Sequence, residues 1–177
     1  MHMFASRIGL SLLSLTLASS AIAATTVTGQ ITSSLTLISS CQVNGAGGTT
    51  GLNFGALDFG VANSLFTEAD AQVLGGGGGL SILCSSGTIP AVKVRAGSHD
   101  GQSPGGTRAL ADGGGNFVPY DLYTDAGHSQ ILAIDGVINL AASTGVAQTV
   151  NIYGKAVGKA GLPAGTYTDT VAVELTF

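Results

Sequence analysis

The sequence predicts an all-β protein, a sandwich or a barrel. Short runs alternate apolar and polar residues with a period of two, which puts one face of each run inside and the other in water. Glycine-rich turns separate these runs, drawing on 28 glycines in 177 residues. No stretch carries a convincing helical period. Many short strands joined by turns must bury their inner faces against a second sheet or by closing on themselves.

The first element is not part of that fold. Arg7 supplies a positive start, Ile8 to Leu17 an apolar stretch, and Ala21-Ile22-Ala23 a small-x-small cleavage site. Residues 1–23 therefore read as a secretory signal peptide. The apolar run is too short to span a bilayer comfortably. Its removal leaves about 154 residues, the size of one domain.

Expected strands then follow in order: Thr25 to Ile38, Cys41 to Asn44, Gly51 to Leu57, Ala71 to Leu74, Gly79 to Cys84, Ala91 to Ala96, Arg108 to Ala111, Val118 to Thr124, Gln148 to Lys155 and Thr166 to Phe177. Two short helical pieces are expected near Ser64 to Ala71 and Leu140 to Thr144. Gly75 to Gly79 leads into the strand-like Leu80-Ser81-Ile82-Leu83-Cys84 rather than into a Gly-Lys-Ser/Thr helix start. It is a turn or bulge, not a phosphate loop.

Composition narrows the function. After loss of Arg7, five Lys/Arg face ten Asp/Glu, a formal charge of −5, with no basic patch for nucleic acid. Two histidines, His99 and His128, lie beyond the signal peptide, His128 in a turn-like stretch expected to be solvated. With both cysteines engaged elsewhere, they are too few for a metal site. No calcium loop and no serine elbow occurs. Neither enzyme activity, metal nor cofactor is expected. Trp is absent and Tyr numbers four, so no aromatic sugar platform is expected either.

Cys41 and Cys84 are the chain's two cysteines. In an exported protein such a pair forms a disulfide, and their spacing fits neither a redox CxxC nor a zinc site. The loop closed, about 44 residues, is worth about 4 kcal/mol in the chain-entropy model.

Both ends alternate. At the start, Val27, Gly29, Ile31, Ser33, Leu35 and Leu37 share one face against a hydroxylic face. At the end, Tyr167, Val171, Val173, Leu175 and Phe177 oppose Thr168, Thr170, Ala172, Glu174 and Thr176. The two strands could complete one sandwich within a molecule, or complete each other between molecules by β-augmentation. Periodicity does not choose.

Four blocks, in order along nearly the whole mature chain, resemble one family. They are Leu52-Asn53-Phe54-Gly55, Tyr120-Asp121-Leu122-Tyr123-Thr124-Asp125, Val150-Asn151-Ile152-Tyr153-Gly154-Lys155, and the run from Pro163 to Phe177. They are similar to the spore coat protein U domain family, which includes the Csu-type subunits of archaic chaperone–usher pili. One departure is Ile131-Leu132-Ala133-Ile134, where the family often carries a Trp-Gly pair.

The resemblance implies an incomplete immunoglobulin-like β-sandwich completed by a donor strand from another subunit. Residues 24–39 would be the donor segment and 40–177 the pilin domain. Val27, Ile31, Leu35 and Leu37 would be donor side chains, with Gly29 and Ser33 at shallow positions. Val171, Val173, Leu175 and Phe177 would line the acceptor edge, and the chain would stop at Phe177 because its next strand comes from elsewhere. The implied partners are a periplasmic chaperone, an outer-membrane usher and identical or homologous subunits in a homopolymer. The implied place is a surface pilus reached through the periplasm, serving attachment and biofilm formation. One short domain points to the major shaft pilin. A secreted coat or matrix protein, or a tip-type binding module, with a self-completed sandwich is the alternative.

Overall fold

The computed structural model describes residues 24–177, so the expected signal peptide lies outside the described residues. The chain divides after Thr36, and Leu37–Phe177 forms one compact unit. Twelve strands build it: β1 (Cys41–Val43), β2 (Ala46–Gly47), β3 (Ala56–Leu57), β4 (Glu68–Gly75), β5 (Gly78–Cys84), β6 (Ala91–Val94), β7 (Arg108–Ala111), β8 (Phe117–Tyr123), β9 (Gly136–Asn139), β10 (Gln148–Val150), β11 (Tyr153–Val157) and β12 (Val173–Thr176). No α-helix occurs among the described residues.

The strands form two antiparallel sheets. The larger runs β2-β1-β5-β4-β11-β8-β7, with β10 on β5 and β3 on β4. The smaller runs β12-β6-β9. The larger sheet bends because two of its strands change partners. The chain leaves β5 at Val150 and joins β4 and β8 from Tyr153. β4 pairs with β11 over Glu68–Gln72, then with β3 and β5 over Val73–Gly75.

The core lies between the sheets. Val43, Leu80, Ile82, Val92, Val94 and Val150 are at most 1% exposed. They come from both sheets at alternate positions, as in β5, where Leu80, Ile82 and Cys84 all turn inward. Cys41 stands opposite Cys84 in the β1–β5 register, and the two are disulfide-bonded. Gly76 and Gly77 form the tight turn between β4 and β5, so the glycine run is a turn, as expected. Gly106 is required by close approach: a Cβ there would stand 2.7 Å from the Tyr120 amide nitrogen.

Several elements differ from the sequence reading. Thr25 to Ile38 has no strand assignment, because alternation makes a strand only where a partner backbone is present. Ser64 to Ala71 is not helical; it ends in the start of β4, whose tertiary pairing overrides local preference. Leu140 to Thr144 is irregular, held by Leu140 and Ser143 amides donating to Pro90 and Thr88. Gln148 to Lys155 is two strands, not one, divided at Asn151–Ile152 where the partner changes. Gly51 to Leu57 is strand only at Ala56–Leu57, and the last run only at Val173–Thr176. β9 went unseen because Gly136-Val137-Ile138-Asn139 is too short to show a period.

The disulfide closes a loop that spans β1 to β5. Replacing Cys41 and Cys84 by Ala should lower unfolding free energy by up to about 4 kcal/mol. Urea titration measures this as a lower midpoint. Under denaturation without reductant, no free thiol should react.

Candidate functional site: an apolar trough beside an unpaired strand edge

The site starts from β12, which pairs with β6 on one side and, among the described residues, with no strand on the other. Just before it, Ala172 donates to the Ala96 carbonyl and accepts from the Arg95 amide. In an antiparallel ladder, main-chain groups alternate between the two edges. The N–H and C=O of Val171, Val173 and Leu175 therefore face the open edge. Their side chains are half-buried and pack on the core. Phe177, at the far end, is 55% exposed.

An apolar trough of about 610 Å³ runs along this edge. Val171 and Val173 form one wall, and Leu52, Phe54, Leu57 and Phe59 another. Leu80, Val94, Leu122 and Ile152 come from both sheets to line it as well. A second cleft of about 300 Å³ shares Leu52, Phe54 and Val173 with it and reaches Leu175 and Phe177. The Leu52–Gly55 wall is locked locally. The Asn44 side-chain amide donates to the Asn53 carbonyl (2.9 Å), and Asn53 Oδ1 accepts from the Gly55 amide (2.8 Å). Gly55 has φ +113°, and a Cβ there would meet the Leu74 carbonyl oxygen at 2.6 Å, so only glycine fits.

One end of the trough is polar. Asp169 accepts from Tyr120 Oη (2.7 Å) and the Ser98 amide (2.8 Å), and its Oδ1 lies 3.3 Å from His99 Nδ1. The Asp169 side chain is 1% exposed. Burial, then the Asp169 hydrogen bond and charge, hold the Tyr120 phenol well above its ordinary range. It stays a protonated donor. Beneath, Arg108 is fully buried; its Nη1 donates to the Arg95 carbonyl (2.9 Å) and lies 3.7 Å from Asp100 Oδ1.

The expected donor positions are all open to solvent. Val27 is 90% exposed, Ile31 97%, Leu35 and Leu37 83% each; Gly29 and Ser33 are exposed too. Of the expected acceptor residues, Val171 and Val173 line the trough, and Val173, Leu175 and Phe177 line the second cleft. His128 differs from its expected solvated state: its side chain is 17% exposed and its ring meets Tyr123 edge-on at 4.9 Å. Ile131 is 60% exposed and Leu132 buried. Among the described residues no three His, Cys, Asp or Glu side chains converge for a metal. Sequence reasoning passed over Asp169. Its one trace is the polar break in an otherwise apolar row between Tyr167 and Val171.

An open trough of this composition takes up apolar probes. The subunit should raise bis-ANS fluorescence several-fold. Val173→Ser, inside the trough, should remove most of that rise, and Thr176→Ser, on the outer face, should not.

No curated protein matches the chain. Among solved structures, the CsuC–CsuE chaperone–tip adhesion subunit pre-assembly complex of the archaic chaperone–usher Csu pili of Acinetobacter baumannii is similar. The match covers 80% of this chain and 41% of that chain, at 22% identity and a TM-score of 0.49. The chain thus spans less than half the length of that protein. A family model described as Spore Coat Protein U domain matches residues 27–174. By that match, over most of its length, the chain belongs to the spore coat protein U domain family.

Proposed function

We propose that the protein is a structural, non-enzymatic subunit of a surface pilus, assembled through a periplasmic chaperone and an outer-membrane usher by strand exchange. Residues 24–39 of one copy fill the trough of the next, giving a homopolymer. One observation carries the reading. An apolar trough borders an unpaired strand edge, and the same chain carries an alternating segment whose apolar side chains are exposed.

The two features are chemically matched. An incoming strand supplies the missing main-chain partners, each hydrogen bond worth about 1 kcal/mol net. Its alternate side chains fill the trough, as in other cases of β-augmentation. Burying Val27, Ile31, Leu35 and Leu37 yields about 1.5–3 kcal/mol each. Ordering the segment costs about 1–2 kcal/mol per residue. An uncovered edge of this kind is an aggregation hazard, which is the physical reason a chaperone strand is needed first. Family membership supports the same reading.

Material sheared from cells should run in SDS without boiling as a ladder of multimers. Harsh heating in denaturant should collapse it to monomer. A single monomer band in every lane would instead mean a sandwich closed within one molecule.

Ile31→Asp or Leu35→Asp should cut multimer yield at least tenfold, each losing apolar burial worth about 1.4 kcal/mol or more. Chaperone binding should survive, because the donor segment serves the neighbour. Phe177→Asp should weaken chaperone capture itself, read by co-purification.

A further inference from the structure

We propose that Asn44 is the positioning residue of the trough: its side-chain amide hangs the Leu52–Phe54 wall from β5 and so sets the width of the slot offered to an incoming strand. The inference rests on the strand-exchange reading above and names the residue that keeps the slot in shape. An empty apolar trough tends to close, because bringing its walls together removes apolar surface from water. Leu52 and Phe54 are only half-buried and belong to no strand, so no ladder holds them away from Val171 and Val173 on the other wall. Apolar packing has no direction. A directional bond must fix where this wall stands.

Among the described residues, one hydrogen bond ties Leu52–Phe54 to a distant part of the chain: Asn44 Nδ2 donates to the Asn53 carbonyl (2.9 Å). Asn53 Oδ1 turns instead to the neighbouring Gly55 amide (2.8 Å). Asn44 can carry the wall because it is itself fixed. Asn44 and Gly45 are the central residues of the β1–β2 turn, with φ +50° and +81°, a geometry that favours Asn-Gly. The Asn44 main-chain amide donates to the Ser81 carbonyl of β5 (2.8 Å), and Asn44 Oδ1 accepts from the Ser81 amide (2.9 Å). Gly75, at the end of β4, lies against the same side chain, and a Cβ there would collide with the carboxamide. The arrangement needs an acceptor and a donor on one short side chain. Asparagine has both, and an ionised carboxylate has only the acceptor. The orientation is fixed too, since the Ser81 N–H only donates and the Asn53 carbonyl only accepts.

Asn44→Asp separates the two bonds in the full-length protein. It keeps the size, the tolerance of positive φ and the acceptor for Ser81, but sets a carboxylate against the Asn53 carbonyl. The readouts are amide exchange at Ser81 and Gly55 in the purified protein, its urea midpoint, and multimer yield in the sheared ladder. The Gly55 amide reports on the wall through Asn53 Oδ1. The variant should keep Ser81 protected, speed Gly55 exchange several-fold, leave the urea midpoint near that of the parent and cut multimer yield several-fold. Gly75→Ala, which pushes the Asn44 carboxamide from the β4 side, should also speed Gly55 exchange and lower yield, and it decides the matter should Asn44→Asp fail to fold. Unchanged Gly55 exchange, or unchanged yield despite faster exchange, overturns Asn44 as the positioning residue and leaves strand exchange standing. A loss of yield matched by an equal loss of stability overturns it as well, since any structural residue would do the same. Ile31→Asp, run alongside, reads strand exchange itself: full multimer yield there overturns that reading, and the role of Asn44 with it.

Discussion

The main chain of the last strand is bonded on one side only. Ala172 is engaged by Arg95 and Ala96, and the N–H and C=O groups of Val173 and Leu175 turn to an edge where no strand of the described residues stands. In a protein interior such groups are almost always paired. Here they border an apolar trough built by the same strand's side chains. Main-chain and side-chain requirements therefore coincide at one slot, and a single β-strand with apolar residues at alternate positions meets both. The rest of the molecule holds that slot open. The two sheets meet around it, β3 and the Leu52–Gly55 wall close its far side, and the Cys41–Cys84 link fixes β1 to β5 nearby.

The two ends of the chain illustrate what alternation does and does not determine. Both carry the same pattern. The last run becomes a strand because β6 is available to it. The first run, equally regular, is fully exposed and has no strand assignment. Period two fixes which side chains share a face; it does not supply a partner. In the proposed assembly that difference is the principle, with each domain's open edge matched to the next chain's unpaired segment.

Much of the fold was legible because it is carried by local chemistry. Glycine at Gly76-Gly77 demands a turn, and Leu80, Ile82 and Cys84 demand an inward face. Cys41 and Cys84 declare their bond by count and compartment. What could not be read is set by non-local pairing. Nothing in Gln148 to Lys155 states that its two halves serve different partners. β9 is four residues whose strand character comes from Ala91–Val94 opposite. For the site, the acceptor wall was visible as an alternating row. The opposing Leu52–Phe54 wall and the polar end at Asp169 were not: the wall hangs on Asn44, itself fixed by Ser81 of β5, and Asp169 on the distant Ser98 and Tyr120.

The polar end also bears on how a half-paired strand is kept in place. A strand with one neighbour holds weakly, and β12 has only β6. The chain compensates before and within β12: Thr168 joins β7, Asp169 joins Ser98 and Tyr120, and Arg95 reaches Glu174 of β12 (3.2 Å) and Asp135 (2.8 Å) across the small sheet. The Arg95 pairs are exposed and contribute little. The buried cluster is different. Arg108 Nε and Nη2 and Asp100 Oδ1 have no hydrogen-bond partner within the protein, and removing charged groups from water in this way costs stability. A hydrophobic packing would hold the sheets together as well. It would not give the strand a fixed start. An anchor that is directional, through Tyr120 Oη and the Ser98 amide, places the segment leading into β12 at a defined point. Buried polar chemistry here is thus better understood as setting position than as adding stability, and position is what the proposed slot for an external strand requires.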